Sequence, residues 1–410
     1  AFSESFSILQ ITHRLSKLKI LRRKAMKILA IGGGSGGHVV PVVAVFKEIL
    51  KKKPDTELYF WCDKKFAPQA TKIMQQSFGE QVSVSKISSG KFRRYNHLSF
   101  WQHLTVPSVV FGNFIDIFKN IAGIFQAFTK LVVNRPDVIF CKGGFVCVPA
   151  GLAAWVLRIP IVIHDSDAHP GLANRIISRF AKKIATGAPL EFYNYPIEKT
   201  EYVGIPVLDK FKKYSKSERQ QLKKELGFLS EKPLVLVTGG GLGAARLNNA
   251  VVHEGTKLSR KAQIILISGV AQFEELQKET EGFSEDFHLL SFVSKDMWKF
   301  LAAADLVVAR AGATSNLELA SLHKPTILVP NARLTGGHQL KNAQVYEKSG
   351  AVEVVSDDLI EENPEILSNK IIRILDNPNR MNKLGEEFGN FAKPNAAKDV
   401  TKLIFESIDM

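Results

Sequence analysis

The chain has 410 residues, 45% of them hydrophobic and 23% charged, and carries a net charge of +15 at neutral pH. That length exceeds one ordinary core and favours two domains, while the composition excludes a disordered, collagen-like or disulfide-framework protein. The charge is uneven: residues 1–205 hold 28 Lys+Arg against 13 Asp+Glu, and residues 206–410 hold 27 of each. An excess confined to the first half implies an anionic partner there, whether nucleic acid, acidic lipid or a phosphorylated substrate. No helix-turn-helix, zinc-finger or RRM-type pattern is present, so no nucleic-acid partner is expected.

Residues 1–25 lack the long apolar core and small-residue cleavage site of a secretory signal. Residues 13–24 mix basic residues with Ile and Leu and fit an amphipathic helix lying on acidic lipid. A simpler account treats this extension as non-native and starts the chain at Met26, which leads straight into a strand. The stretch from Lys27 to His38 is the one around which the chain is organised. Ile28 to Ile31 read as a buried strand, and five glycines and Ser35 fill residues 32–37. Val42, Val45, Phe46 and Ile49 then recur at helical spacing, with Pro41 expected in the first helical turn. A strand passing through glycines into a helix offers backbone N–H groups and a positive helix end, which suit a phosphate. His38 is expected at the lip of that loop.

Residues 58–62 form a second predicted strand. Lys91, Arg93 and Arg94 then stand beside aromatics and precede Trp101 and an apolar run through Phe118. This reads either as a core helix behind a charged turn or as a membrane-interface patch, and the charge asymmetry favours the membrane. Residues 98–115 come nearest to a transmembrane span, but Gln102, His103, Pro107 and Asn113 interrupt them, so no span is expected. Predicted strands at 136–141 and 159–163 end in polar residues, Lys142-Gly143-Gly144-Phe145 and His164-Asp165-Ser166-Asp167. Open α/β sheets place ligand groups at such strand ends. Gly171 opens a further helix containing Asn174, and residues 203–207 look like the exit from a first domain.

Residues 210–232 are polar and largely helical. Strands are then predicted at 234–238, 264–268, 289–292, 306–309 and 326–329, alternating with helices as in a parallel doubly wound sheet. The first of them runs into a second glycine passage, Gly239 to Gly243. The cysteines, Cys62, Cys141 and Cys147, have no metal-ligand spacing and read as reduced thiols of a cytoplasmic protein.

Taken in order, the glycine loop ending at His38, residues 142–145, 164–167, 171–175 and 239–243, and Arg310-Ala-Gly-Ala313 with Glu318, His338, Gln339 and Asn342 resemble the MurG family of N-acetylglucosaminyltransferases. The resemblance runs from about residue 26 to the C-terminus. It implies a GT-B fold, two Rossmann-like doubly wound parallel-sheet domains facing a cleft. The expected division is a basic extension at 1–25, an acceptor- and membrane-binding domain at 26–205, a UDP-sugar domain at 206–394 and a closing helix at 395–410.

The resemblance further implies an inverting, metal-independent transfer from UDP-N-acetylglucosamine, without a cofactor. The implied acceptor is an undecaprenyl-diphosphate-linked N-acetylmuramoyl pentapeptide at the cytoplasmic face of the membrane. His38 is carried over as the base, expected neutral at a helix N-terminus, with Asp165 as the second candidate. Gly34, Ser35, Gly36, Gly37, Lys142, Gly143, Gly144, Phe145, Asp167 and Asn174 fall on the acceptor side. Gly240, Gly241, Leu242, Gly243, Arg310, Ala313, Glu318, His338, Gln339 and Asn342 fall on the donor side.

Four positions depart from the family pattern: Asp165 stands for Glu, Gly241 for Ser, Leu208 for Arg and Gly337 for an acidic residue. Blander readings stand beside these: His164 as a satisfied core histidine, Arg310 as a structural contact to carbonyls and Glu318 as a solvated helix residue. Asp165 and Asp167 also fit the D-x-D with which other glycosyltransferases hold a metal. A transferase acting on another lipid, a UDP-sugar 2-epimerase and an inactive membrane scaffold are the alternative functions.

Overall fold

The computed structural model describes residues 25–34, 36–92, 105–240, 243–293, 296–331 and 337–409. Residues 1–24, Ser35, Arg93, Arg94, Trp101, Gly241 and Leu242 lie outside that set. Thirteen strands are present among the described residues: β1 Lys27–Gly32, β2 Glu57–Asp63, β3 Val82–Ile87, β4 Val138–Gly143, β5 Ile161–Asp165, β6 Lys183–Thr186, β7 Thr200–Tyr202, β8 Leu234–Thr238, β9 Gln263–Ile267, β10 Phe287–Leu290, β11 Leu306–Ala309, β12 Thr326–Leu328 and β13 Glu353–Val354. They form two all-parallel sheets, ordered β3-β2-β1-β4-β5-β6-β7 and β10-β9-β8-β11-β12-β13. Their central strands are continuous apolar runs, as both faces are covered by helices.

In each sheet the order reverses beside the first strand, between β1 and β4 and between β8 and β11. The chain leaves neighbouring strands there in opposite directions, which opens a crevice at their carboxyl ends. Both glycine passages lead out of such a strand.

Strand formation at 82–87 follows from the Val-Ser-Val-Ser alternation, while β6, β7 and β13 are too short and mixed to announce themselves. Pro41 departs from expectation. The helix starts at Gly36, so Pro41 is its sixth residue. Proline has no N–H for the carbonyl four residues back, that of Gly37. The Thr314 hydroxyl of the second domain donates to that oxygen instead, at 3.4 Å. The Ala396–Asp409 helix returns to the first domain, where Val400, Leu403 and Ile404 join the core of β1, β2 and the Gly36–Lys52 helix.

The expectation of no membrane-length helix is corrected. The Pro107–Val133 helix is long and apolar enough to cross a membrane by length and composition. It nevertheless lies along the first domain, because one stripe including Val109, Gly123, Ala127 and Leu131 is buried. The other side leaves Phe111 68%, Phe118 57% and Phe125 70% exposed.

Candidate active site

At the first switch point two glycine loops cross. A Cβ on Gly144 (φ +90°) would stand 2.7 Å from the Gly33 carbonyl oxygen, and one on Gly143 (φ +119°) 3.2 Å from His38 Cε1. Only glycine allows both the left-handed backbone and this approach. The loop after β1 is less open to an anion than its composition implies. Asp63, at the end of β2, accepts from the Gly34 N–H at 2.8 Å, so that donor is already engaged.

His38 is half-buried with its Nδ1 enclosed and unpartnered among the described residues. Burial first, and then the charge of Lys142, push the imidazole down to about 4. It is neutral at pH 7, and desolvation and the Lys142 charge, rather than the helix end, make it so. Lys142 is 1% exposed, bonds the Ser166 hydroxyl and is lowered by burial to about 8, against the pull of Asp165 and Asp167. Asp165 is 3% exposed, and burial raises its carboxyl to about 7. Buried Lys142 and Asp165 and half-buried His38 thus lean towards their neutral forms within one crevice, an arrangement typical of sites that move protons.

Two tyrosines that carry no sequence signal hold the β5 end in place. Tyr195 donates to Asp165 Oδ2 at 2.8 Å, and Tyr193 donates to the Asp167 carbonyl at 2.8 Å. Their rings stack with centroids 5.7 Å apart. His164 is the satisfied core histidine of the blander reading, its Nε2 on the Gly204 carbonyl at 2.7 Å. Asn174 is buried beside the same crevice with its Oδ1 unpartnered among the described residues, and Phe145 lies against Gly34.

At the second switch point, Gly243 donates to the Gly240 carbonyl at 3.0 Å, both glycines having positive φ, and closes a tight turn before the Ala245–His253 helix. Arg310, at the end of β11, donates to the Val329 carbonyl at 3.0 Å and to Asp357 Oδ1 at 2.5 Å. Asp357 Oδ2 lies 3.3 Å from Arg246, on the helix after the glycine turn. Asp357 therefore ties both arginines together, and the structural reading of Arg310 describes its observed contacts. Ala313 begins a helix whose N-cap, Gly312, provides no side-chain cap. Glu318 in that helix is half-buried, and desolvation raises its carboxyl to about 8.

Donor-side and acceptor-side candidates meet across the cleft. Asn342 donates to Asp167 Oδ1 at 2.9 Å and to the Ala311 carbonyl at 3.2 Å, and accepts from the Ala168 N–H at 2.9 Å. His338 Nδ1 stands 3.9 Å from Asp167 Oδ2. Gln339 accepts from the Asn331 N–H at 2.8 Å. Gly337 has φ +61° at the N-cap of the His338–Glu347 helix, which accounts locally for glycine there. Leu208 packs against the first domain's core. Asp165 and Asp167 receive hydrogen bonds from Tyr195 and Asn342, and no cluster of three metal-ligating side chains occurs among the described residues.

Two doubly wound parallel domains, each with a glycine-opened switch point on a shared cleft, define a GT-B glycosyltransferase architecture. Residues 28–186 match the N-terminal domain model of glycosyltransferase family 28, and residues 234–400 match its C-terminal domain model. The chain belongs to glycosyltransferase family 28. A relative from Clostridium kluyveri is 32% identical over 93% of this chain and 99% of its own, and bears the name UDP-N-acetylglucosamine--N-acetylmuramyl-(pentapeptide) pyrophosphoryl-undecaprenol N-acetylglucosamine transferase. A Bacillus cereus relative, 31% identical over 93% of this chain and 99% of its own, bears the same name numbered 2. The crystal structure of Acinetobacter baumannii MurG superimposes with a TM-score of 0.68 at 23% identity, covering 93% of this chain and 99% of that one. A UDP-GlcNAc 2-epimerase from Neisseria meningitidis shares the fold, with a TM-score of 0.65 at 13% identity over 93% and 100% of the two chains.

Proposed function

We propose that this chain transfers N-acetylglucosamine from UDP-N-acetylglucosamine to undecaprenyl-diphosphate-linked N-acetylmuramoyl pentapeptide, with inversion and without a metal. The observation that carries this reading is His38, an imidazole kept neutral by burial and Lys142 at the mouth of the first switch point. Its loop touches the Ala313–Ser321 helix of the second domain through the Thr314–Gly37 contact. The acceptor hydroxyl attacks the anomeric carbon and gives its proton to His38 as the bond to UDP breaks. The electron pair leaves on the diphosphate. The N–H groups at the starts of the Ala245–His253 and Ala313–Ser321 helices, neither of which has a side-chain cap, supply positive charge there.

Asp165 stands second as proton acceptor. Gly34 to Gly37, Lys142 to Phe145, Asp167 and Asn174 receive the acceptor. Gly240 to Gly243, Arg310, Ala313, Glu318, His338, Gln339 and Asn342 hold the donor, and for that Asn342 must release Asp167. The exposed phenylalanines of the Pro107–Val133 helix, with Lys91, Arg93, Arg94 and Trp101 before it, dock the first domain on the anionic cytoplasmic face of the membrane.

Purified protein, sugar-labelled UDP-N-acetylglucosamine and a short-chain lipid-linked muramoyl peptide test the reading, with EDTA present throughout. Label is expected to move to the lipid. Label that stays on UDP with the acceptor present, or a 2-epimer formed without it, overturns the assignment.

A further inference from the structure

Asp165 is a short carboxylate at the end of β5, and the groups around it come from four separate parts of the first domain. Lys142 faces it from β4, Asp167 from its own loop, Asn174 from the Leu172–Ile177 helix, and Tyr195 from the segment before β7. Tyr193 lies beside Tyr195, and Arg175 is near enough to act on the Tyr195 phenol. Two of these bond the carboxylate directly: Asn174 through its side chain, and Tyr195, the stronger of the two, which donates its hydroxyl to Oδ2 at 2.8 Å. Its ring is fixed by the stack on Tyr193, at 15° between planes. Tyr193 is anchored in turn by the Ala188 N–H at 3.1 Å and the Asp167 carbonyl. The phenol is therefore held still against the carboxylate.

We propose that Tyr195 is a positioning residue for the transfer reaction: its hydroxyl fixes the rotamer of Asp165 and decides how readily that carboxylate takes up a proton beside the acceptor. This rests on the function proposed above. A hydrogen bond donated to a carboxylate stabilises the ionised form, so it holds Asp165 below the value burial alone would give. Without it the carboxyl keeps its proton to higher pH, and fewer molecules carry the ionised form near neutrality.

Tyr195→Phe keeps the ring and its stack and removes only the hydroxyl. His38 stays neutral down to about 4 while Asp165 titrates near 7, so the limb of kcat closest to neutrality belongs to Asp165 and should move up by roughly one unit, the scale of one hydrogen bond to a charged group. The KM for UDP-N-acetylglucosamine should stay within twofold. Independently of activity, infrared titration of protein carrying carboxyl-labelled aspartate, read as a difference against Asp165→Asn, should show the same upward move. Tyr193→Phe is the control: it keeps the ring on which Tyr195 stacks and the Tyr195 hydroxyl itself, so the Asp165 titration stays in place while the thermal midpoint falls with the lost backbone anchors.

Superimposed titrations of Tyr195→Phe and the parent would overturn the inference, and so would a shifted infrared midpoint with an unmoved kcat limb. A protein that transfers nothing, yet shows the infrared shift, would instead sink the assigned reaction and leave the Tyr195–Asp165 pairing intact.

Discussion

The two switch points share strand order and a glycine exit, yet they bury different chemistry. The first encloses His38, Lys142 and Asp165, all pushed towards neutral forms, at about 4, 8 and 7. The second encloses permanent charge, Arg310 and Arg246 joined through Asp357, which is 3% exposed. One fold thus serves two tasks according to the side chains placed behind the glycines. A neutral imidazole beside a lysine and a carboxyl that titrate near neutrality suits an attacking hydroxyl. Arg246 and Arg310 are already held by Asp357, Asp358 and Glu361, so the uncapped helix is what suits a diphosphate there.

The contrast breaks most visibly at His38. His38→Ala should lower kcat by about 10²–10⁴-fold, the range for a lost general base, with the Kd for UDP-N-acetylglucosamine unchanged in calorimetry. Activity within a few-fold of the parent would hand that role to Asp165. On the other side, Asp357→Ala leaves Arg310 buried without its counter-charge. It should cost about 3–5 kcal/mol in chemical denaturation, with the second domain melting first.

The charge contrast between the two halves gives the next effect. Changing Lys91, Arg93 and Arg94 together to Glu should remove about 1 kcal/mol per cation and abolish sedimentation with anionic liposomes. Turnover of a soluble, short-tailed acceptor should persist. Undiminished sedimentation would make the apolar helix an ordinary surface and residues 13–24 the next docking candidate.

Glu318 sharpens the comparison through pH. Its folded-state carboxyl keeps a proton to about 8, whereas the unfolded group ionises near 4.5. The side chain therefore weakens folding progressively as pH rises between those values. Glu318→Gln should melt higher than the parent at pH 8 and equal to it at pH 4; equal midpoints at both would mean that the carboxyl is solvated. The link across the cleft comes last. Asn342→Ala removes three hydrogen bonds, of which the two to Asp167 and Ala168 cross the cleft, at about 1 kcal/mol each, seen as a lower thermal midpoint that is largest in donor-free protein.

Much of this was legible from residue order. Apolar runs of four or five residues marked β1, β4, β5, β8 and β11, because a strand buried on both faces has no room for alternation. Glycine punctuation located both switch points, since the backbone there requires positive φ and close approach. Helical spacing located the Gly36–Lys52 helix but not its start, and Pro41 was misplaced because the freed Gly37 carbonyl finds its partner in another domain.

The sequence by itself determined the two-domain βα alternation, the glycine exits and the basic first half, which depend on local pattern or composition, while the candidates His38 and Asp165 came from the family resemblance. Only the tertiary structure decided what those candidates are chemically. The pairing of Tyr195 with Asp165 spans 30 residues and that of Asn342 with Asp167 spans 175. The returning C-terminal helix, the Asp63 contact on the first glycine loop and the neutral state of His38 likewise depend on distant segments. Burial and hydrogen bonding are properties of neighbours in space, and a sequence carries no local signal for groups that meet only once the sheets have formed.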